Sequence, residues 1–139
     1  MSPADISEAK TRQEFIDKAL RKAGWDPIVP FQPGIKCNHG SVEEYPTKNG
    51  PADYILFSKG IPLACVEGKK VRIGPQNVLQ QAKRYARGFE GGPHSFGGYN
   101  LPFVYSTNGK IIWFQDLGDP QVSQERFLLF ILPKPFWRC

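Results

Sequence analysis

Two short β-prone runs, Asp53 to Phe57 and Ile61 to Val66, flank the tripeptide Ser58-Lys59-Gly60. A link of this length with a glycine folds the chain back as a hairpin. Each run is nearly continuous in apolar side chains, with charge only at its outer end. Strands apolar on both faces need cover on both faces, so the hairpin predicts the middle of a sheet with helices packed against it. Pro62 predicts a late start for the second strand, because proline cannot donate to a ladder.

The flanking segments supply that cover. Phe15, Ile16, Ala19, Leu20 and Ala23 form one apolar stripe at helical period, predicting a helix from about Ser7 to Ala23. Asp5 and Glu8 resemble a capping box at its start, and Gly24 provides the stop. A second helix begins near Pro75 and runs to about Gly88, with Val78, Ala82, Tyr85, Ala86 and Phe89 on one face. The runs Pro102 to Ser106 and Lys110 to Gln115 flank Thr107-Asn108-Gly109, a second hairpin signal. Between Trp25 and Gly50 repeated prolines and glycines break any helix, and only Ile28, Val29 and Phe31 predict a short strand. The glycine-rich stretch Gly88 to Gly98 reads as a connection, and the residues beyond Asp119 carry no clear period. The expected fold is α/β, with a mixed central β-sheet flanked by helices. At 139 residues the chain is expected to form a single domain, 1–139, with a core of about 7–116 and a tail of 117–139.

Several function classes are excluded. The longest apolar runs, Ile61 to Val66 and Phe127 to Leu132, fall far short of the roughly 20 residues that span a bilayer. The start MSPADISEAK lacks a secretory pattern, so a cytoplasmic location is expected. Cys37, Cys65 and Cys139 read as free thiols, and Cys37-x-His39 with Cys65 fits no zinc spacing. His94 has no evident Ser or Cys partner. Trp113 and Phe114 fall in an expected strand and read as core.

Charge is unevenly spread. The net value is +5, yet residues 68 to 89 hold Lys69, Lys70, Arg72, Lys83, Arg84 and Arg87 with no acid, leaving 12 bases and 13 acids elsewhere. Such a block suits a polyanion such as a nucleic-acid backbone. A solvated basic helix face would look the same.

Pairing the central strands about Lys59 places Asp53 opposite Glu67 at one sheet edge. Two carboxylates, completed by water and a phosphate oxygen, make a hard-oxygen site of the kind magnesium prefers, with distances of about 2.0–2.1 Å. Lys69, two residues beyond Glu67, points to the same face of an extended strand. Magnesium on Asp53 and Glu67, with Lys69 stabilising developing charge or orienting the nucleophile, is a workable phosphodiesterase centre, with one metal or two. The plainer alternative is a hairpin with solvated charges at its open end.

Gly50-Pro51-Ala52-Asp53-Tyr54 followed by Val66-Glu67-Gly68-Lys69-Lys70 resembles the PD-(D/E)xK nuclease superfamily. In detail it resembles the amino-terminal nuclease domain of type I restriction enzyme R (motor) subunits. Three other stretches match in the same order: Glu8 to Arg12 with Ile16-Asp17 and Ala23-Gly24-Trp25; Gln81-Ala-Lys-Arg-Tyr85, similar to a Q-x-x-x-Y motif; and Pro102-Phe-Val with Thr107-Asn108-Gly109.

The resemblance implies a restriction-endonuclease-like core and a magnesium-dependent endonuclease acting on double-stranded DNA. Asp53 and Glu67 would hold the metal, Lys69 would be catalytic, and Gln81 and Tyr85 would support the site and DNA engagement. Glu8 matches an acid that the superfamily often draws from its first helix. Gly68 stands where the family commonly has alanine, its carbonyl still available to the metal. Lys70, Arg72, Lys83, Arg84 and Arg87 would hold backbone phosphates. ATP belongs to the family's helicase-like motor, of which no GxxxxGK[ST] motif is present here. The methyltransferase and specificity subunits of a restriction-modification complex are the implied protein partners. A catalytically silent DNA-binding or subunit-docking module, or a stand-alone structure-specific nuclease, would share much of this pattern.

Overall fold

Among the described residues, the expected hairpin lies at the centre of a seven-stranded sheet. The computed structural model describes residues 14–68, 75–90, 98–107, 112–118 and 125–127. Helix α1 covers 14–22 and is followed by strands β1 (Ile28–Pro30), β2 (Gly40–Thr47), β3 (Gly50–Ser58) and β4 (Ile61–Gly68). Helix α2 (Pro75–Gly88) leads to β5 (Phe103–Thr107), β6 (Ile112–Asp116) and β7 (Glu125–Phe127). The strands lie side by side in chain order. β1 with β2 and β4 with β5 are parallel, and the remaining neighbours are antiparallel. This is the expected α/β class with a mixed sheet.

Turn chemistry fixes the register. Lys59 and Gly60 have φ of 55° and 77°, the two positive values a type I′ hairpin requires. From there Leu56 pairs with Ala64, Ile55 with Cys65 and Tyr54 with Val66. Alternate residues of β3 then face opposite cores. Tyr54 and Leu56 join Ile16, Leu20, Val66, Phe103, Tyr105 and Phe114 beneath α1. Ile55 and Phe57 join Val42, Cys65, Ala82, Tyr85, Ala86 and Phe89 beneath α2. Full burial of one such side chain contributes about 1.5–3 kcal/mol, which is why the two helices stay on their faces.

Helix α1 ends as its glycine foretells. Gly24 has φ of 90°, its N–H donates to the Arg21 carbonyl at 3.0 Å, and the Trp25 N–H reaches back to Leu20 at 2.9 Å. This is a Schellman closure, with Trp25 and Leu20 in one core cluster.

Four expectations need correction or completion. Phe15 is 55% exposed, since it flanks the stripe that Ile16 and Leu20 bury. β4 starts at Ile61, one residue before Pro62; a register shift between Leu56 and Phe57 lets proline occupy the ladder opposite Phe57. β2 was not foreseen, because Glu43, Glu44 and Pro46 interrupt its apolar alternation and pairing with β3 defines it. β7, in the unassigned tail, forms the last strand beside β6. The Asn108-Gly109 turn, most of the glycine-rich stretch and His94 lie outside the described residues.

Candidate functional site

Asp53 and Glu67 meet where the hairpin opens. The Tyr54–Val66 pairing carries one step further, and the two acids clasp each other's strands. The Asp53 N–H donates to Glu67 Oε1 at 2.8 Å, and the Gly68 N–H donates to Asp53 Oδ2 at 2.9 Å. Glu67 is only 2% exposed, whereas Asp53 is half-buried. A carboxylate that far from water needs donors, and the backbone supplies them. Both acids share the α2 face of the sheet with Ile55 and Cys65, their strand neighbours at alternate positions.

The charge of this pair reaches its surroundings. Burial, then the charge of Glu67, raises the Tyr85 phenol above its ordinary range, against a lowering hydrogen bond from Gln81. The fully buried Cys65 thiol is raised by burial, then Glu67 and Asp53. Glu44, flanked by the pairs Glu43–Tyr54 and Tyr45–Ala52, lies across from Asp53 on the other neighbouring strand. Its carboxyl is raised by desolvation and by Asp53, and its φ is 54°. Only the register reveals Glu44 as a neighbour of the site; no motif marks it.

Helix α2 brings the Q-x-x-x-Y pair over the carboxylates. One turn apart, Gln81 Nε2 donates to the Tyr85 hydroxyl oxygen at 2.8 Å, and Arg84 Nη1 donates to Gln81 Oε1 at 3.3 Å. Tyr85 is 9% exposed and belongs to the core, so packing and hydroxyl bonding coexist in one side chain. Gly50 gives it room: with φ of 116°, a Cβ there would lie 3.3 Å from Tyr85 Cε1.

Of the basic block, Lys83 is half-buried, and Arg84 and Arg87 are exposed on the outer side of α2. Arg87 is held over the Tyr99 ring, 4.9 Å from its centroid, and donates to its hydroxyl at 3.1 Å. Tyr99 is a partner that the sequence did not suggest. Glu8, Lys69, Lys70 and Arg72 lie outside the described residues.

The donor set fits a hard cation. Two carboxylates share a partly buried position, and the carbonyl of Gly68 is the next main-chain oxygen along β4. Among the described residues no group of three or more His, Cys, Asp and Glu side chains gathers to hold a metal, so Cys37, His39 and Cys65 form no such cluster. His39 instead stacks on Trp25 at 5.4 Å. No helix among the described residues is long and apolar enough to cross a membrane.

Comparison with known proteins decides the family. Residues 31–136 match the family model described as the type I restriction enzyme EcoKI endonuclease subunit second domain. The chain belongs to this family. The type I restriction enzyme EcoKI endonuclease subunit of Escherichia coli (strain K12) is 34% identical over 146 residues, 76% of this chain and 12% of its own length. The EcoAI endonuclease subunit of Escherichia coli is 29% identical over 142 residues, 95% of this chain and 16% of its own. The chain therefore spans a small part of these type I subunits. The type IIG restriction endonuclease BpuSI superposes with a TM-score of 0.49 over 80% of this chain and 11% of its own, at 21% identity. The motif resemblance names the amino-terminal nuclease domain and the matched model the second domain, both of the type I endonuclease subunit. The matched span includes Asp53, Glu67, Gln81 and Tyr85 and begins after Glu8.

Proposed function

We propose that this domain is the magnesium-dependent nuclease of a type I restriction-modification subunit and hydrolyses phosphodiester bonds of double-stranded DNA. The observation that carries this reading is the reciprocal clasp of Asp53 and Glu67. It fixes two carboxylates side by side at one strand end, each accepting from a main-chain N–H of the neighbouring strand. Asp53, Glu67 and the Gly68 carbonyl would hold the metal. Magnesium bound there supplies charge neutralisation at the phosphate and lowers the pKa of water.

The protein groups divide the remaining work. Tyr85, raised above its ordinary pKa by burial and by Glu67, stays protonated at neutral pH. Its oxygen already accepts from Gln81, so its proton serves as a hydrogen-bond donor, suited to a phosphate oxygen and unsuited to abstracting a proton. Arg84 and Arg87, with Lys83, would hold backbone phosphates along α2. As the family resemblance implies, Lys69 would assist displacement, Lys70 and Arg72 would hold phosphates, and Glu8 would add a further acid. DNA choice would come from the methyltransferase and specificity subunits.

Nicking of supercoiled plasmid tests the reading. Wild-type protein with magnesium converts plasmid to open circles, chelation stops it, and Asp53→Asn and Glu67→Gln are inactive while folded. Equal nicking by these variants would refute the assignment.

A further inference from the structure

Helix α1 touches the sheet directly behind the two carboxylates. The residue after Asp53 is Tyr54, whose hydroxyl donates to Asp17 Oδ1 at 2.6 Å. The residue after Glu67 is Gly68, where a Cβ would lie 2.5 Å from Ile16 Cδ1. Neighbours along a strand point to opposite faces, so Tyr54 and Gly68 meet α1 while Asp53 and Glu67 face α2. Two consecutive residues of one helix, Ile16 and Asp17, thus bear on both strands at the level of the clasp.

We infer that α1 is a buttress that sets the spacing of Asp53 and Glu67 through Ile16 on Gly68 and Asp17 on Tyr54, making Asp17 and Tyr54 positioning residues of the site. The clasp consists of two main-chain N–H bonds to side chains of the neighbouring strand, so it depends on how far apart β3 and β4 lie. Tyr54 is 2% exposed, and a short bond to a carboxylate in such surroundings is strong and directional. Glu43, paired with Tyr54 from β2, is the carboxylate facing Asp17 from the sheet, and Arg21 is the cation facing them from the next turn of α1. None of these groups lies on the α2 face, so they act on the carboxylates through the backbone and not by touching a substrate there.

The role of α1 in holding the clasp stands apart from the metal; its consequence for magnesium rests on the nuclease reading. Amide hydrogen exchange at Asp53 and Gly68, measured by NMR on the whole chain alongside magnesium calorimetry, separates the two. Tyr54→Phe keeps the ring and removes the hydroxyl. It is expected to speed exchange at both amides about tenfold relative to Ile55 and Cys65, and to weaken magnesium binding several-fold. Asp17→Asn, which keeps a neutral acceptor, falls between this variant and wild type. Leu101→Ala, in the α2-side core, lowers overall stability and leaves both ratios unchanged. Unaltered relative exchange in folded Tyr54→Phe overturns the buttress. If wild type binds no magnesium, the nuclease reading fails, and exchange alone decides the buttress.

Discussion

The side-chain amide of Asn49 donates to the main-chain carbonyl of Arg84 at 2.7 Å, tying the tip of the β2–β3 hairpin to the last turns of α2. The Lys48 N–H adds a bond to the Gly88 carbonyl at 2.9 Å. Two carbonyls near the end of a helix thereby receive donors from a turn at least 35 residues away in sequence. The same hairpin carries Asp53 on its return strand, so α2 and the carboxylate share one anchor.

This anchor is open to test through Gly88. A Cβ there would lie 2.9 Å from Asn49 Nδ2 and 3.0 Å from the Asn49 backbone nitrogen. The backbone cannot swing aside as a side chain can. Gly88→Ala should therefore cost about 1–3 kcal/mol, and Asn49→Ala, which loses one hydrogen bond, about 0.5–1.5 kcal/mol. Urea denaturation reads both, and the reverse order would contradict the geometry.

Gly68 predicts a compensating pair. Alanine at this position would bring its methyl group against Ile16 Cδ1, the flexible end of a side chain. Gly68→Ala is expected to destabilise by about 1–2 kcal/mol, and Ile16→Val alone by about 0.5–1.5 kcal/mol. Together they should cost less than their sum, because valine lacks the offending atom. Additive losses would place the strain elsewhere.

Tyr85→Phe separates packing from hydrogen bonding. The ring remains in the core, so stability should fall by no more than the value of one hydrogen bond, about 0.5–1.5 kcal/mol. Plasmid nicking should fall by roughly 10- to 100-fold, as expected when a positioned donor is lost. A melting shift without loss of nicking would make the hydroxyl structural.

Glu43 gives a pH signature. Its carboxyl is raised above the ordinary 4.5 chiefly by burial, then by Asp17 and Glu44. A carboxyl raised in the folded state binds protons more readily there, so its contribution is fully present below 4.5 and is lost as pH rises through the folded value. Glu43→Gln should melt higher than wild type at pH 7, and the difference should vanish below pH 4.5. Thermal melts across that range check it, and a gap that widens on acidification would reverse the sign.

Much of this architecture is legible without coordinates because it is encoded locally. Lys59-Gly60 fixes a turn, the turn fixes the register, and the register brings Asp53 to Glu67. Gly24 and Pro75 mark helix ends by their own backbone preferences. β2 is different: its alternation is broken by Glu43 and Glu44, and only a partner strand makes it a strand. Glu44, Tyr99 and the Asp17–Tyr54 bond escaped for the same reason. Each acquires meaning from a neighbour on another element, and one sequence does not record which elements touch.

The proposed nuclease function turns on whether Asp53 and Glu67 together hold magnesium. Isothermal titration of magnesium into wild type, Asp53→Asn and Glu67→Gln tests it most directly, since both variants keep an acceptor for the clasp and lose only charge. Binding by wild type and its loss in both folded variants are expected. Equal binding by all three, or no binding by folded wild type, would contradict it.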